Sequence, residues 1–309
     1  MTGSESPAAL FRCFEHLIVR VAPGHLDKVL DFFTKTLGLP SPWMTRNASF
    51  SSAGVALGNI PLELLQMGPP RPGAPPVKLF GLVLEPTLPI DELPQALRAR
   101  GVRSGGASPM VEPAEDGAPR TLWKSVYFDD RGGSSLWLRL FLAMTRRRPR
   151  TPRKPRQVQG KWARRFFNRA FANKGMLFAV EYVPPFEGPL RSMERVLADA
   201  KGPLGPLGIL GVDEIVMMSR DPLRVRRAWS EILAPLEPSE AGRFEPGRGP
   251  ALRVIPGPDE RIDELVLKVQ SLDTARVFLA ERKLLGSQAT GRLSIDLAAS
   301  FGLRIALIA

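Results

Sequence analysis

The chain has 309 residues, 44% of them hydrophobic, with a formal net charge of +12, a single cysteine (Cys13) and two histidines (His16 and His25). This length and apolar content exclude a disordered chain and suit two folded domains better than one. One cysteine excludes an internal disulfide and fits a reducing cytoplasm, and no apolar run nears the roughly 20 residues of a membrane span. No secretory signal is expected in Met1 to Phe11, which lacks a basic start and an apolar core. The charge is local. Residues 146–174 hold 12 Lys and Arg and no acid, and without them basic and acidic residues balance at 31 each. The basicity is therefore no sign that the fold as a whole binds nucleic acid.

In chain order, a short strand-like phrase appears four times, each time followed by a helical pattern: His16-Leu17-Ile18-Val19, Gly81-Leu82-Val83-Leu84, Glu214-Ile215-Val216-Met217 and Glu264-Leu265-Val266-Leu267. In the first unit, His16 to Val21 is a branched, alternating strand. His25 to Leu39 puts Leu26, Val29, Leu30, Phe33 and Leu37 on one helical face, with Gly38 as its stop. Ala48–Ser52, Gly54–Leu57 and Pro61–Gln66 are short strand candidates. The second unit runs from Lys78–Leu84 through a helix at about 90–100 to Thr121–Phe128. Ser135–Leu142 and Met176–Pro184 are both candidates for its closing strand, and the second would make the basic stretch at about 145–174 an insertion before the last strand. The third unit spans Val212–Met218, the helix Pro222–Leu233 and Ala251–Ile255. The fourth spans Ile262–Val269, the helix Leu272–Leu285, Leu293–Leu297 and Leu303–Ile308. One such unit cannot bury both faces of its sheet, so units should pair. The expected fold class is α+β, with a first domain over 1–183, a linker over 184–208 and a second domain over 209–309.

The β-α-β-β-β pattern and these four phrases resemble the vicinal oxygen chelate superfamily of glyoxalases, bleomycin-resistance proteins and extradiol dioxygenases, in particular bacterial glyoxalase-like proteins. The resemblance covers nearly the whole chain apart from the basic stretch. It implies paired βαβββ modules forming a half-closed cup around a ligand, with metal ligands on the first and last strand of each module. Carried to this sequence, it favours Met176–Pro184 as the closing strand and implies His16, Glu63 and Glu181 as ligands of a divalent ion (Zn, Mn, Fe or Ni), with Glu63 or Glu181 serving as base and Phe80, Trp123 and Tyr127 lining the cup. The ion would act as a Lewis acid. Extradiol oxygenation uses two histidines and a glutamate in this superfamily and is not expected, since His16 alone matches. The bland reading of His16, beside Glu15, is a hydrogen-bonded core residue.

The second domain reads differently. Its equivalent positions are Glu214, Arg253, Glu264 and Arg304, two carboxylates and two guanidiniums expected to pair as a charge network rather than hold a metal, or to keep the arginines for an anionic ligand. In the basic stretch, residues 161–174 place Trp162, Phe166, Phe167 and Phe171 at helical spacing opposite arginines. This is a candidate lid over the cup, or a contact for an anionic surface, with nucleic acid the weakest option. Function is expected to be glyoxalase-like binding, with or without turnover of the lyase or isomerase type, of a small polar organic molecule. The alternative is a ligand-sequestering protein without catalysis, or an interaction module built on the basic helix.

Overall fold

A computed structural model describes residues 8–46, 50–67, 75–113, 118–129, 136–146, 175–200 and 202–309. The first sheet opens with β1 (Phe11–Val21), which leads into α1 (Leu26–Asp31) and a π-helical turn at Phe32–Thr36. β2 (Met44–Arg46), β3 (Ser51–Ala56) and β4 (Pro61–Gln66) complete the first module. β5 (Val77–Pro86), α2 (Leu93–Ala99), β6 (Ser108–Pro113), β7 (Pro119–Tyr127), α3 (Leu136–Arg146) and β8 (Met176–Tyr182) form the second. α4 (Pro189–Leu197) then leads to the second sheet. It contains β9 (Ile209–Ser219), α5 (Pro222–Leu233), β10 (Arg243–Phe244) and β11 (Ala251–Pro256), followed by β12 (Arg261–Val269), α6 (Leu272–Glu281), β13 (Leu285–Ala289), β14 (Arg292–Ile295) and β15 (Arg304–Ile308).

The strand order is β2-β3-β4-β1-β5-β8-β7-β6 in the first sheet and β10-β11-β9-β12-β15-β14-β13 in the second. In every module the closing strand lies parallel to the opening one, and the two opening strands pair antiparallel at the middle of the sheet. The four-fold phrase is this central pair, repeated in each sheet.

Local chemistry fixes the helix ends. Asp221 accepts the Arg224 N–H at 3.1 Å with Pro222 in the first turn, and Ser271 accepts the Thr274 N–H at 3.2 Å. α1 is shorter than the apolar spacing implies, because its last turn widens to the π-helical form before Gly38 takes φ +67°. Of two expected strands, Ala48–Ser52 and Gly54–Leu57, the described parts fall largely in the single strand β3, Ser51–Ala56, and residues 48–49 lie outside the described residues. The described part of Ser135–Leu142, weighed as a strand, is residues 136–142 of the helical α3, so the preferred β8 closes the module. Leu138, Phe141 and Leu142, which turn inward, follow the helical period rather than the strand period. Pro184 to Gly208, expected as a linker, contains α4, whose Leu190 and Met193 pack on Cys13 and Ala56. No described helix is long and apolar enough to cross a membrane.

One hydrophobic core joins both sheets. Phe14, Leu17, Leu62 and Leu82 of the first meet Ile215, Met217 and Leu265 of the second, with Trp229 of α5 edge-on to Phe14 at 6.2 Å. The junction also carries a polar clamp. Asn59 donates to the Val212 carbonyl at 2.9 Å and accepts the Val212 N–H at 2.8 Å. Asn59→Ala removes both partners of a backbone unit packed between the sheets and should cost about 1–3 kcal/mol, read as a lowered urea midpoint at unchanged slope.

Candidate functional site

The polar centre of the first sheet is made by a bulge. The β1–β5 register passes from Phe14↔Leu84 to His16↔Val83, leaving Glu15 unopposed. Phe14 and Leu17 face the shared core, so Glu15 and His16 both point to the opposite face although they are adjacent in sequence. There His16 Nδ1 is hydrogen-bonded to Glu15 Oε2, and His16 Nε2 lies 3.2 Å from Glu63 Oε2. Glu15 also accepts the Tyr182 hydroxyl at 3.3 Å and the Leu190 N–H, in the first turn of α4, at 3.0 Å. Glu63 accepts the Ser52 hydroxyl at 2.6 Å, and Ser52 in turn accepts the Trp43 indole N–H at 3.0 Å.

The side chains of Glu15 and His16 are each only 4% exposed. Burial opposes charge on the imidazole, but the two carboxylates outweigh it and raise the His16 pKa to about 9. Burial likewise pushes Glu63 toward the neutral form, yet its hydrogen bonds from His16 and Ser52 bring its pKa below the usual value. Burial, reinforced by Glu15 and Glu63, drives the Tyr182 phenol well above its ordinary range, so it is a neutral donor. The arrangement is a proton-holding relay, Tyr182–Glu15–His16–Glu63, whose groups are positioned by three strands, β8, β1 and β4.

The other expected residues fall in two places. Phe80 and Tyr127 share the face of His16, but the space before them is filled. α3 lays Leu138 and Leu142 against Phe80, Ile18, Val83 and Phe178, and Phe141 meets Tyr127 edge-on at 5.2 Å. Phe80 is also flanked by Arg20 and Lys78, at 5.6 and 5.3 Å from its ring. Trp123 instead backs a second aromatic group, 6.3 Å from Tyr182 and 5.5 Å from Phe186. Residues 161–174, read as a candidate lid, lie outside the described residues; the cover seen on the sheet is α3.

Glu181 requires a correction. Phe178 and Val180 of β8 face the polar centre, whereas Leu177 and Ala179 face the core. With side chains alternating, Glu181 lies on the core side, where its carboxylate accepts the Ile90 N–H at 2.9 Å. It does not meet His16 and Glu63. Module symmetry explains what stands there instead. Ile18↔Glu63 in the first module corresponds to Val83↔Phe178 in the second, and aligning the phrases makes Gly81 the second module's counterpart of His16. Phe178 and Gly81 bring no donor. Among the described residues no group of three or more His, Cys, Asp or Glu is placed to hold a metal ion. His16 and Glu63 alone do not make the three-donor set that leaves a metal open to substrate.

A cleft of about 760 Å³ opens where β1 begins and β5 and β8 end, with Glu15, Tyr182, Phe186 and Arg191 in its wall. Glu15 thus connects the buried relay to solvent-accessible space. Cys13 lies in the same wall, its thiol pushed up to about 12 by burial and by Glu85, which makes it a poor nucleophile.

In the second sheet, Glu214, Arg253, Glu264 and Arg304 share the face opposite the core, but only one pair forms among them. Arg253 holds Glu214 at 2.7 Å, with Arg243 on the other carboxylate oxygen at 3.1 Å. Glu264 pairs with Arg292 at 2.5 Å, and Arg304 reaches Asp263 at 3.5 Å. The cause is a bulge like that in β1. The β12–β9 register skips Asp263, placing Asp263 and Glu264 on one face. That extra acid and the arginines of β10 and β14 redistribute the pairs.

No protein-family model matches the sequence, and no curated protein sequence matches it significantly. Solved structures do. The Mn(II)-bound glyoxalase from Novosphingobium aromaticivorans superposes with TM-score 0.54 at 11% identity, over 97% of this chain and 82% of that one. Homoprotocatechuate 2,3-dioxygenase from Brevibacterium fuscum, in complex with 3,4-dihydroxyphenylacetate, gives 0.53 at 12% identity, over 98% and 82%. A hypothetical protein from Staphylococcus aureus gives 0.51 at 12%, over 95% and 98%. The chain adopts the fold of the vicinal oxygen chelate superfamily, an α+β fold of two sheets built from paired modules.

Proposed function

We propose that this protein is a glyoxalase-like member of that superfamily, working in the cytoplasm, whose first domain binds a small polar organic molecule at the Tyr182–Glu15–His16 relay. The observation that carries the reading is Glu15, a buried carboxylate tied to His16 that also lines a cleft of about 760 Å³. Clefts of about 300–1,000 Å³ with a few convergent polar groups are typical small-molecule sites. Polar contacts at the floor would orient the ligand, and Tyr182 Oη is the atom where a proton would be offered to it or taken back through Glu15. A panel of small oxygenated molecules screened by thermal shift tests the proposal. A ligand at 100 times its Kd stabilises by about 2.7 kcal/mol, a shift of several degrees. Shifts seen with the native chain and lost in Glu15→Gln and Tyr182→Phe support it. Shifts equal in all three proteins, or none with any compound, overturn it.

The second reading is metal-assisted chemistry of the glyoxalase type. It is favoured by the likeness to a Mn(II)-bound glyoxalase and by the approach of His16 Nε2 to Glu63. Elemental analysis of the purified protein decides between the two. A stoichiometric transition metal that disappears in His16→Ala would replace the first reading with the second.

A further inference from the structure

The wall of the cleft contains seven charged side chains: Arg12, Arg191, Arg248, Glu15, Glu85, Glu181 and Glu194. Six are committed within the protein. Arg12 pairs with Glu85 at 3.3 Å and Arg248 with Glu194. Glu15 is bound to His16, and Glu181 accepts the Ile90 N–H. Arg191, in the first turn of α4, is exposed and has no hydrogen bond or ion pair among the described residues. Arg191 is therefore the one guanidinium of this wall left to meet a ligand, among the described residues.

A second, independent feature gives the shape of the ligand. Phe186 is a large apolar side chain left 40% exposed in this charged wall. It is held by Tyr182 at 5.8 Å and Trp123 at 5.5 Å. The start of α4 is pressed against the same group, since a Cβ at Gly188 would fall 2.2 Å from the Tyr182 ring. A rigid aromatic platform thus stands in one cleft with an uncommitted guanidinium, and a guanidinium is the side chain best matched to a planar carboxylate.

We propose that the cleft takes a small carboxylate with a flat apolar body, its anionic group held by Arg191 and its flat body against Phe186 and Tyr182. This deepens the reading that the first domain binds a small molecule, and rests on it. The test titrates the full chain with three probes that share a ring and differ in charge: benzoate, benzyl alcohol and benzylamine. Binding is read from the tryptophan fluorescence, which Trp123 brings to the platform, and from calorimetry. Benzoate should bind about tenfold more tightly than benzyl alcohol, as one charge-assisted pair implies, and benzylamine should bind most weakly. Arg191→Ala, which breaks no contact within the protein, should remove the benzoate advantage and leave benzyl alcohol unchanged. Phe186→Ala should weaken benzoate and benzyl alcohol together. Equal affinity for the three probes, or a benzoate affinity that Arg191→Ala does not change, overturns the inference. So does failure of all three to bind. The compound panel on Glu15→Gln separates this from the wider reading: hits lost in that variant but showing no preference for anions would sink the carboxylate inference alone.

Discussion

Replacing His16 by alanine is expected to be among the costliest single changes in the first domain. The imidazole is shared by two carboxylates, and its loss leaves Glu15 and Glu63 buried without their common cation. Breaking a buried charge set from one side costs about 3–5 kcal/mol, more than removing the whole set, because the remaining charges keep their desolvation penalty. Urea unfolding should show this as a lower midpoint. The triple variant Glu15→Gln, His16→Ala, Glu63→Gln should regain much of the loss, since no unpaired charge remains. A His16→Ala protein within about 1 kcal/mol of the native one would mean that these carboxylates are hydrated or neutral, and the relay as described would not stand.

The same cluster sets a pH dependence. His16 binds its proton more tightly folded, near pH 9, than unfolded, near 6.5, so between these values the folded state holds more protons. Stability from the cluster is then fully present below pH 6.5 and is lost as the pH rises through 9. Glu63 has the opposite sign. Its lowered value gives stability that is present above its ordinary 4.5 and lost as the pH falls through the lower folded value. The contribution should therefore be greatest between about pH 4.5 and 6.5. Urea midpoints compared at pH 6 and pH 9 check this. The native chain should lose more between them than the triple variant, and parallel losses would refute the assignment.

How much of this was legible in the sequence follows from what kind of information each feature needs. Periodicity is a property of consecutive residues, so the four strand–helix phrases, α5 at 222–233 and β4 at 61–66 could be read directly. The site depends on which face each side chain takes, and that turns on single-residue bulges that alternation cannot reveal. Glu15 was visible only as a neighbour of His16; the bulge makes it a partner. Glu181 lies one residue from Val180 and from Tyr182, and that one residue places it on the wrong face of β8. Asp263 was hidden in the same way beside Glu264. Tyr182 belonged to the expected closing strand, but its role needs α4, which a Pro- and Gly-rich stretch concealed as a linker. The apolar stripe of α3 carried a helical signal, yet nothing local says that a helix fills the face where a ligand was expected.

Trp229→Ala should have an effect as large as His16→Ala, and it tests the shared core rather than the site. The side chain is 0% exposed, edge-on to Phe14 at 6.2 Å, and belongs to α5 of the second half while Phe14 belongs to β1 of the first. Truncating a buried Trp to Ala costs about 3–5 kcal/mol, through lost transfer energy and the cavity left behind. Here the cavity would enlarge an existing void of about 30 Å³ bounded by Leu82 and Leu177 of the first sheet and Met217 and Ile262 of the second. The loss would therefore fall on the junction itself. Trp229→Phe should cost far less than its volume change suggests. It keeps an aromatic edge against Phe14 and removes an indole N–H that has no protein acceptor among the described residues. If one core couples the halves, Trp229→Ala should also split the single unfolding transition. Ligand-site fluorescence near Trp123 and far-ultraviolet circular dichroism would then give different midpoints. Coincident transitions with a shift under about 1 kcal/mol would show that Trp229 is only a local filler and does not couple the halves.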